Sequence, residues 1–337
     1  MLQRAFICGL SGLTLSLGEA DFLTAARPAG VILFARNVQS PEQVSRLIED
    51  AREAAQGEVL VLVDQEGGRV QRLSAPYWPR YPAARAFGLL SGKDRERAAN
   101  TARLCARAMA YDLHALGFNT TCAPVLDVPV PGADNVIGDR AYGGDIETVI
   151  ALGGAVAEGL LAGGILPVMK HIPGHGRAKA DSHLALPVVD TPLDELQASD
   201  FAPFRALNHL PMAMTAHVVF TGVDADAPVT VSAKAIGEVI RGFIGFDGLL
   251  MSDDLSMRAL SGTLEERTRA SLAAGCDVAL HCNGKMEEVA AVALASPPLE
   301  GPALRRFEAA LAACREPEAF AREEAEEARA EALAALA

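Results

Sequence analysis

The side chains most capable of chemistry crowd into one stretch, Lys170-His171-Ile172-Pro173-Gly174-His175-Gly176-Arg177-Ala178-Lys179-Ala180-Asp181-Ser182-His183. Three of the seven histidines lie here, with two lysines, an arginine and an aspartate. Pro173 fixes φ, while Gly174 and Gly176 allow a sharp and flexible turn. Asp181 stands two residues before His183, a spacing at which a carboxylate accepts the imidazole Nδ1–H and fixes the tautomer. That is the wiring of a histidine that exchanges protons.

A second concentration is Gly245-Phe246-Asp247-Gly248-Leu249-Leu250-Met251-Ser252-Asp253-Asp254-Leu255-Ser256-Met257. An aspartate at the end of a buried strand, beside cations, stays ionised and can stabilise or attack an oxocarbenium-like centre. Successive strand residues face opposite sides. One of Asp253 and Asp254 is therefore expected in the pocket, with the other capping the next turn. A third group opens at Asp64 and runs through Glu66 to Arg72. A strand-end carboxylate suits the adjacent hydroxyls of a sugar, and Arg72 and Arg140 offer planar forks of donors. Asp127 reads equally as an anchor for Arg140 or as a strand-end cap.

These groups need a scaffold that brings strand ends together. Apolar runs recur at 5–10, 30–35, 59–63, 118–126, 165–169, 212–216, 248–251 and 277–280. Helical patterns separate most of them: 41–56 behind Ser40 as N-cap, 93–116, 145–162, 193–207, 232–244 and 264–274. Eight β units without a break in composition point to one (β/α)8 TIM-type barrel over residues 1–315. Such barrels carry their active sites at the C-terminal ends of the strands. Here the strands end in Asp64, Asp127, Lys170-His171, His217, Asp253-Asp254 and His281. A doubly wound sheet is disfavoured, because Gly9-Leu10-Ser11-Gly12 lacks the glycine spacing of a dinucleotide loop. Residues 316–337 read as a charged, exposed helix or frayed tail.

The chain has 337 residues, 50% hydrophobic and 5% aromatic, with a formal net charge of −13. A polyanion would be repelled and no basic patch interrupts the charge, so nucleic acid is not an expected partner. Six cysteines without Cys-x-x-Cys spacing read as reduced, buried thiols of a cytoplasmic protein. The N-terminal run, interrupted by Gly9, Ser11 and Gly12, reads as a first strand rather than a signal peptide. No apolar run approaches the ~20 residues that span a bilayer, so no membrane association is expected. A monomer is favoured.

Together the stretches resemble the single-domain β-N-acetylhexosaminidases of glycoside hydrolase family 3. The resemblance rests on Asp64 to Arg72, Ile137 to Gly143, Lys170 to Gly176 with Asp181 to His183, and Gly245 to Met257, and covers roughly residues 1–295. Ile172 stands where the family commonly has an aromatic residue. The resemblance implies that Asp253 is the nucleophile and that His183, oriented by Asp181, is the general acid/base. It assigns Asp64, Arg72, Arg140, Lys170 and His171 to binding a terminal N-acetylglucosamine of a glycan or cell-wall muropeptide. It implies no cofactor and no metal.

Three other chemistries compete. A metallohydrolase would use His171, His175, Asp181 and His183 as ligands, but no strand carries a His-x-His pair and Lys170 would set a cation beside the metal. A phosphorylase on the same fold fits a histidine acid/base, which as a base carries no negative charge to repel phosphate. A sugar-binding protein without catalysis is opposed by the intact Asp253, Asp181 and His183.

Overall fold

The computed structural model describes residues 2–336. Eight parallel strands close into a barrel in sequence order: β1 (Arg4–Gly9), β2 (Pro28–Leu33), β3 (Leu60–Val63), β4 (Thr120–Thr121), β5 (Leu166–Ile172), β6 (Met212–Thr215), β7 (Leu249–Asp254) and β8 (Val278–His281). The molecule is a single (β/α)8 barrel.

Strand periodicity sorts the side chains. Leu60 and Leu62, Leu166 and Val168, Met212 and Met214, and Leu249 and Met251 share the barrel interior. Their neighbours Val61, Met169, Ala213 and Leu250 face the surrounding helices. Below, Phe307 and Ala310 of helix Gly301–Ala313 join the interior cluster and plug the N-terminal mouth. The opposite mouth is open.

Several expected elements differ in extent. The run 118–126 forms only a two-residue strand, because Pro124 has no N–H to donate and the ladder dwindles to a single bridge between Val125 and Lys170. β5 runs on through Lys170 and His171 to Ile172, which is fully buried. The helix expected over 193–207 breaks into Leu193–Ala198 and Ala202–Ala206. Asp200, in the break, binds Arg177 (Nε–Oδ2 2.6 Å).

The C-terminal segment is a helix, Arg322–Ala334, but not a frayed one. Ala325, Ala328 and Ala332 are buried along one face. Glu331 pairs with Arg97 (2.7 Å) on helix Arg95–His114, and Phe320 sits beside Tyr111 with the Arg107 guanidinium over its ring. Alanine at i, i+3 and i+7 allows two helices to approach closely, and this apolar stripe is what the charged composition concealed.

Candidate active site

The open mouth holds a cavity of about 460 Å3. The eight residues to which the family resemblance assigns catalysis or sugar binding line it: Asp64, Arg72, Arg140, Lys170, His171, Asp181, His183 and Asp253. Ile32, Met214 and Leu280 form an apolar floor.

On one wall lies a charged lattice. Asp64 accepts from Lys170 Nζ (3.1 Å) and from Arg72 Nη2 (3.0 Å). Lys170 also reaches Glu66 (2.6 Å), which takes both prongs of the Arg140 fork at 2.8 Å. Burial alone would push these carboxyls up, but Lys170 with Arg72 pulls Asp64 well below the usual range. Lys170 with Arg140 pulls Glu66 down to about 2. Their negative charge drives Lys170 in turn well above its ordinary value, against burial. The sequence reading assigns Glu66 no role, although it stands two residues after Asp64. It also corrects one expectation: Arg140 is held by Glu66, not by Asp127.

The chain returns Arg72 to Asp64 through a short hairpin, Gln65–Gly67 against Val70–Gln71. Gln65 is buried and fixes the return, its Oε1 accepting from the amides of Arg72 and Leu73 and its Nε2 donating to the Leu73 carbonyl. Gly67 adopts φ 96° with its Cα against the Pro82 carbonyl, so no side chain fits.

Asp127 is fully buried behind the wall. It accepts from His171 Nδ1 (2.7 Å) and from the His175 amide (2.7 Å), an anchor for the buried His171–His175 stretch rather than for Arg140. His217 is likewise behind the wall, with Nδ1 on Thr230 Oγ1 (2.7 Å) and Nε2 on the Asp254 carbonyl (3.1 Å). His281 is fully buried and does not face the cavity.

Asp253 continues the inward series Leu249, Met251 and reaches the cavity. Burial opposes its ionisation; the His217 and His171 rings, the Asp254 amide donating to Oδ1 (2.8 Å) and Lys170 outweigh it and hold the carboxyl below its ordinary value. Asp254 caps the turn as expected, accepting from Ser256 N (3.0 Å) and Ser256 Oγ (2.6 Å). It also lines the cavity, contrary to the expectation that only one of the pair would, because the β7–β8 register slips between Met251 and Asp254. A similar slip between Lys170 and Ile172 lets Lys170 and His171 both reach the cavity.

The opposite rim is the loop carrying Asp181 and His183. Asp181 Oδ1 accepts from the His183 amide (2.9 Å) and lies 2.7 Å from His183 Nδ1. Those bonds hold the Asp181 carboxyl below its ordinary range against the burial it suffers. His183 is exposed, and Nδ1 is engaged, so Nε2 is the nitrogen left for a reacting group. The four residues of the metallohydrolase reading are otherwise committed: His171 to Asp127, His175 to Ser182, and Asp181 to His183. Among the described residues no three His, Cys, Asp or Glu side chains are grouped to hold a metal ion.

A parallel barrel with an ionised aspartate and an Asp–His pair lining one mouth is an arrangement suited to glycoside hydrolysis. Comparison with known proteins agrees: residues 14–300 match the glycosyl hydrolase family 3 N terminal domain, and the chain belongs to that family. A β-hexosaminidase of Alkalilimnicola ehrlichii is 41% identical over 84% of this chain and 82% of its own, and one of Pseudomonas aeruginosa is 39% identical over 87% and 86%. The crystal structure of native NagZ from Neisseria gonorrhoeae superposes with a TM-score of 0.88 at 32% identity, covering 100% of this chain and 99% of that one. The same protein in complex with N-trifluoroacetyl-D-glucosamine gives 0.88 at 31% identity, with the same coverage.

Proposed function

We propose that the protein is a retaining exo-β-N-acetylglucosaminidase that releases terminal N-acetylglucosamine from muropeptides during peptidoglycan recycling in the cytoplasm. One observation carries the reading: an ionised Asp253 and the Asp181–His183 pair border the same cavity as the Asp64–Lys170–Glu66–Arg140 lattice. The lattice suits sugar hydroxyls, since its charges are already paired and need no reorganisation when a neutral ligand arrives. Asp64, Arg72, Lys170 and His171 hold the non-reducing sugar. Arg140, with its fork taken up by Glu66, offers only a remaining N–H edge.

In the first step the Asp253 carboxylate attacks the anomeric carbon as the glycosidic C–O bond breaks, and His183 Nε2–H protonates the departing oxygen. In the second, neutral His183 takes a proton from water, whose oxygen displaces Asp253 and frees the sugar with retained configuration. Asp181 keeps Nδ1–H directed at itself throughout. The β-hexosaminidase relatives and the N-acylated glucosamine in the Neisseria complex support the sugar. Six unpaired cysteines, four of them buried, accord with a reducing compartment. No described helix is long and apolar enough to cross a membrane.

The test is to trap the glycosyl-enzyme with a slow fluorinated N-acetylglucosaminide and map the label. Attachment at Asp253 is expected, and attachment elsewhere sinks the mechanism. Rates with and without phosphate, with assay for sugar 1-phosphate, separate hydrolysis from phosphorolysis; the expectation is free N-acetylglucosamine and no phosphate dependence.

A further inference from the structure

The loop that bears His183 is fastened unevenly. Its first half is built into the barrel. Gly176 lies so close to the Val128 carbonyl that a Cβ would overlap it, the Val130 amide donates to the Gly176 carbonyl, and Arg177 is clamped by Asp200 and Glu195. The second half differs. Across residues 179–186, Asp181 bonds only within the segment, to the amides of His183, Leu184 and Ala185 and to the His183 ring. Among the described residues, a single hydrogen bond joins this segment to anything outside it: Ser182 Oγ with His175 Nε2, at 3.1 Å. Ser182 is 3% exposed although it sits between half-buried Asp181 and exposed His183. His175 is itself buried, and its Nδ1 has no partner. Its amide is fixed by Asp127, the carboxylate that also orients His171 on the cavity wall.

We infer that Ser182 and His175 are positioning residues, a latch that holds the Asp181–His183 pair at the mouth of the cavity. The inference rests on the assignment of His183 as acid/base. Inward Ser182 turns its two neighbours outward toward the substrate. The ring at the other end stays neutral over the working range, since burial and then the neighbouring His171 push its pKa down to about 4. The latch therefore does not open by titration near neutrality. Because Asp127 grips both His171 and the base of the latch, a sugar seated against His171 and a docked loop rest on one buried carboxylate.

The latch acts on proton delivery, not on sugar binding, so its loss has a selective signature. Ser182→Ala is expected to lower kcat about 10-fold on an N-acetylglucosaminide with an alkyl alcohol as leaving group, and less than about 2-fold on a nitrophenyl glycoside, which departs with little protonic help. KM for the nitrophenyl substrate and the Tm stay at the wild-type values. His175→Ala gives the same pattern, and His175→Gln, whose amide can still meet Ser182 Oγ, restores most of the rate. His183→Ala is run beside them. If it shows the leaving-group selectivity while Ser182→Ala matches wild type on both substrates, the latch is wrong and the acid/base assignment stands. If His183→Ala shows no selectivity, the assignment itself falls. Equal losses on both substrates with a lowered Tm in Ser182→Ala would make Ser182 merely structural and overturn the inference.

Discussion

His183 Nδ1 lies 2.7 Å from Asp181 Oδ1, and this contact is where the proposed acid/base is most easily probed. An asparagine at 181 preserves the size of the side chain and removes its charge. Asp181→Asn is expected to slow an alkyl glycoside by about 10- to 100-fold, within the range a positioned general acid contributes. A nitrophenyl glycoside should be slowed only a few-fold, as measured by kcat/KM on the two substrates. Equal slowing would remove His183 from the acid role. In the sequence, the Asp-x-His spacing was sufficient to suggest this pair, because both partners sit on one local turn. Glu66 was not legible in that way. Its partners Lys170 and Arg140 lie 104 and 74 positions away along the chain, only closure of the barrel brings the three together, and no local pattern announces them.

Among the elements, the C-terminal helix shows how composition misleads. Glu323, Glu324, Glu326 and Glu327 face solvent, while the alanine stripe packs on helix Arg95–His114. We propose that residues 1–315 carry the chemistry and that 316–337 serve as a clamp on the outer wall. Deleting 316–337 uncovers the face of helix Arg95–His114 on which the alanine stripe packs and unpairs Arg97, so the Tm should fall by several degrees while KM for a chromogenic N-acetylglucosaminide is unchanged. A rise in KM would tie the tail to the site. The strands illustrate the opposite case. Alternation along β3, β5 and β7 places Asp64, Lys170 and Asp253 on the inward face with Leu62, Val168 and Met251, and that alternation is readable in the sequence. His171 and Asp254 break it through register slips that depend on the neighbouring strand.

For the molecule as a whole, the buried charges set the response to acid. Glu66 is held down to about 2, against an unfolded carboxyl near ~4.3, so it stabilises the fold above that value and stops doing so as pH falls toward 2. His175 is held at about 4, against ~6.5 when unfolded, so the unfolded chain takes up the proton first and stability falls as pH drops from 6.5 to 4. Both act in the same direction. The Tm should decline on acidification from pH 7, with His175→Gln flattening the segment above pH 4 and Glu66→Gln the segment below it. A Tm that stays level from pH 7 to pH 3 would contradict the assignment of these two groups.

The sequence by itself determined the barrel, because strand period and helix caps are local properties of the chain, and the resemblance of its motifs to a family pointed to the eight residues that meet at its mouth. Tertiary structure alone decided which strand-end groups face the cavity and which stand behind it. It set Asp127 and His217 behind the wall, gave Arg140 to Glu66, and joined Ser182 to His175. These outcomes turn on register between neighbouring strands and on pairing between charges distant in the chain. Both are settled by packing rather than by the order of residues in any one segment.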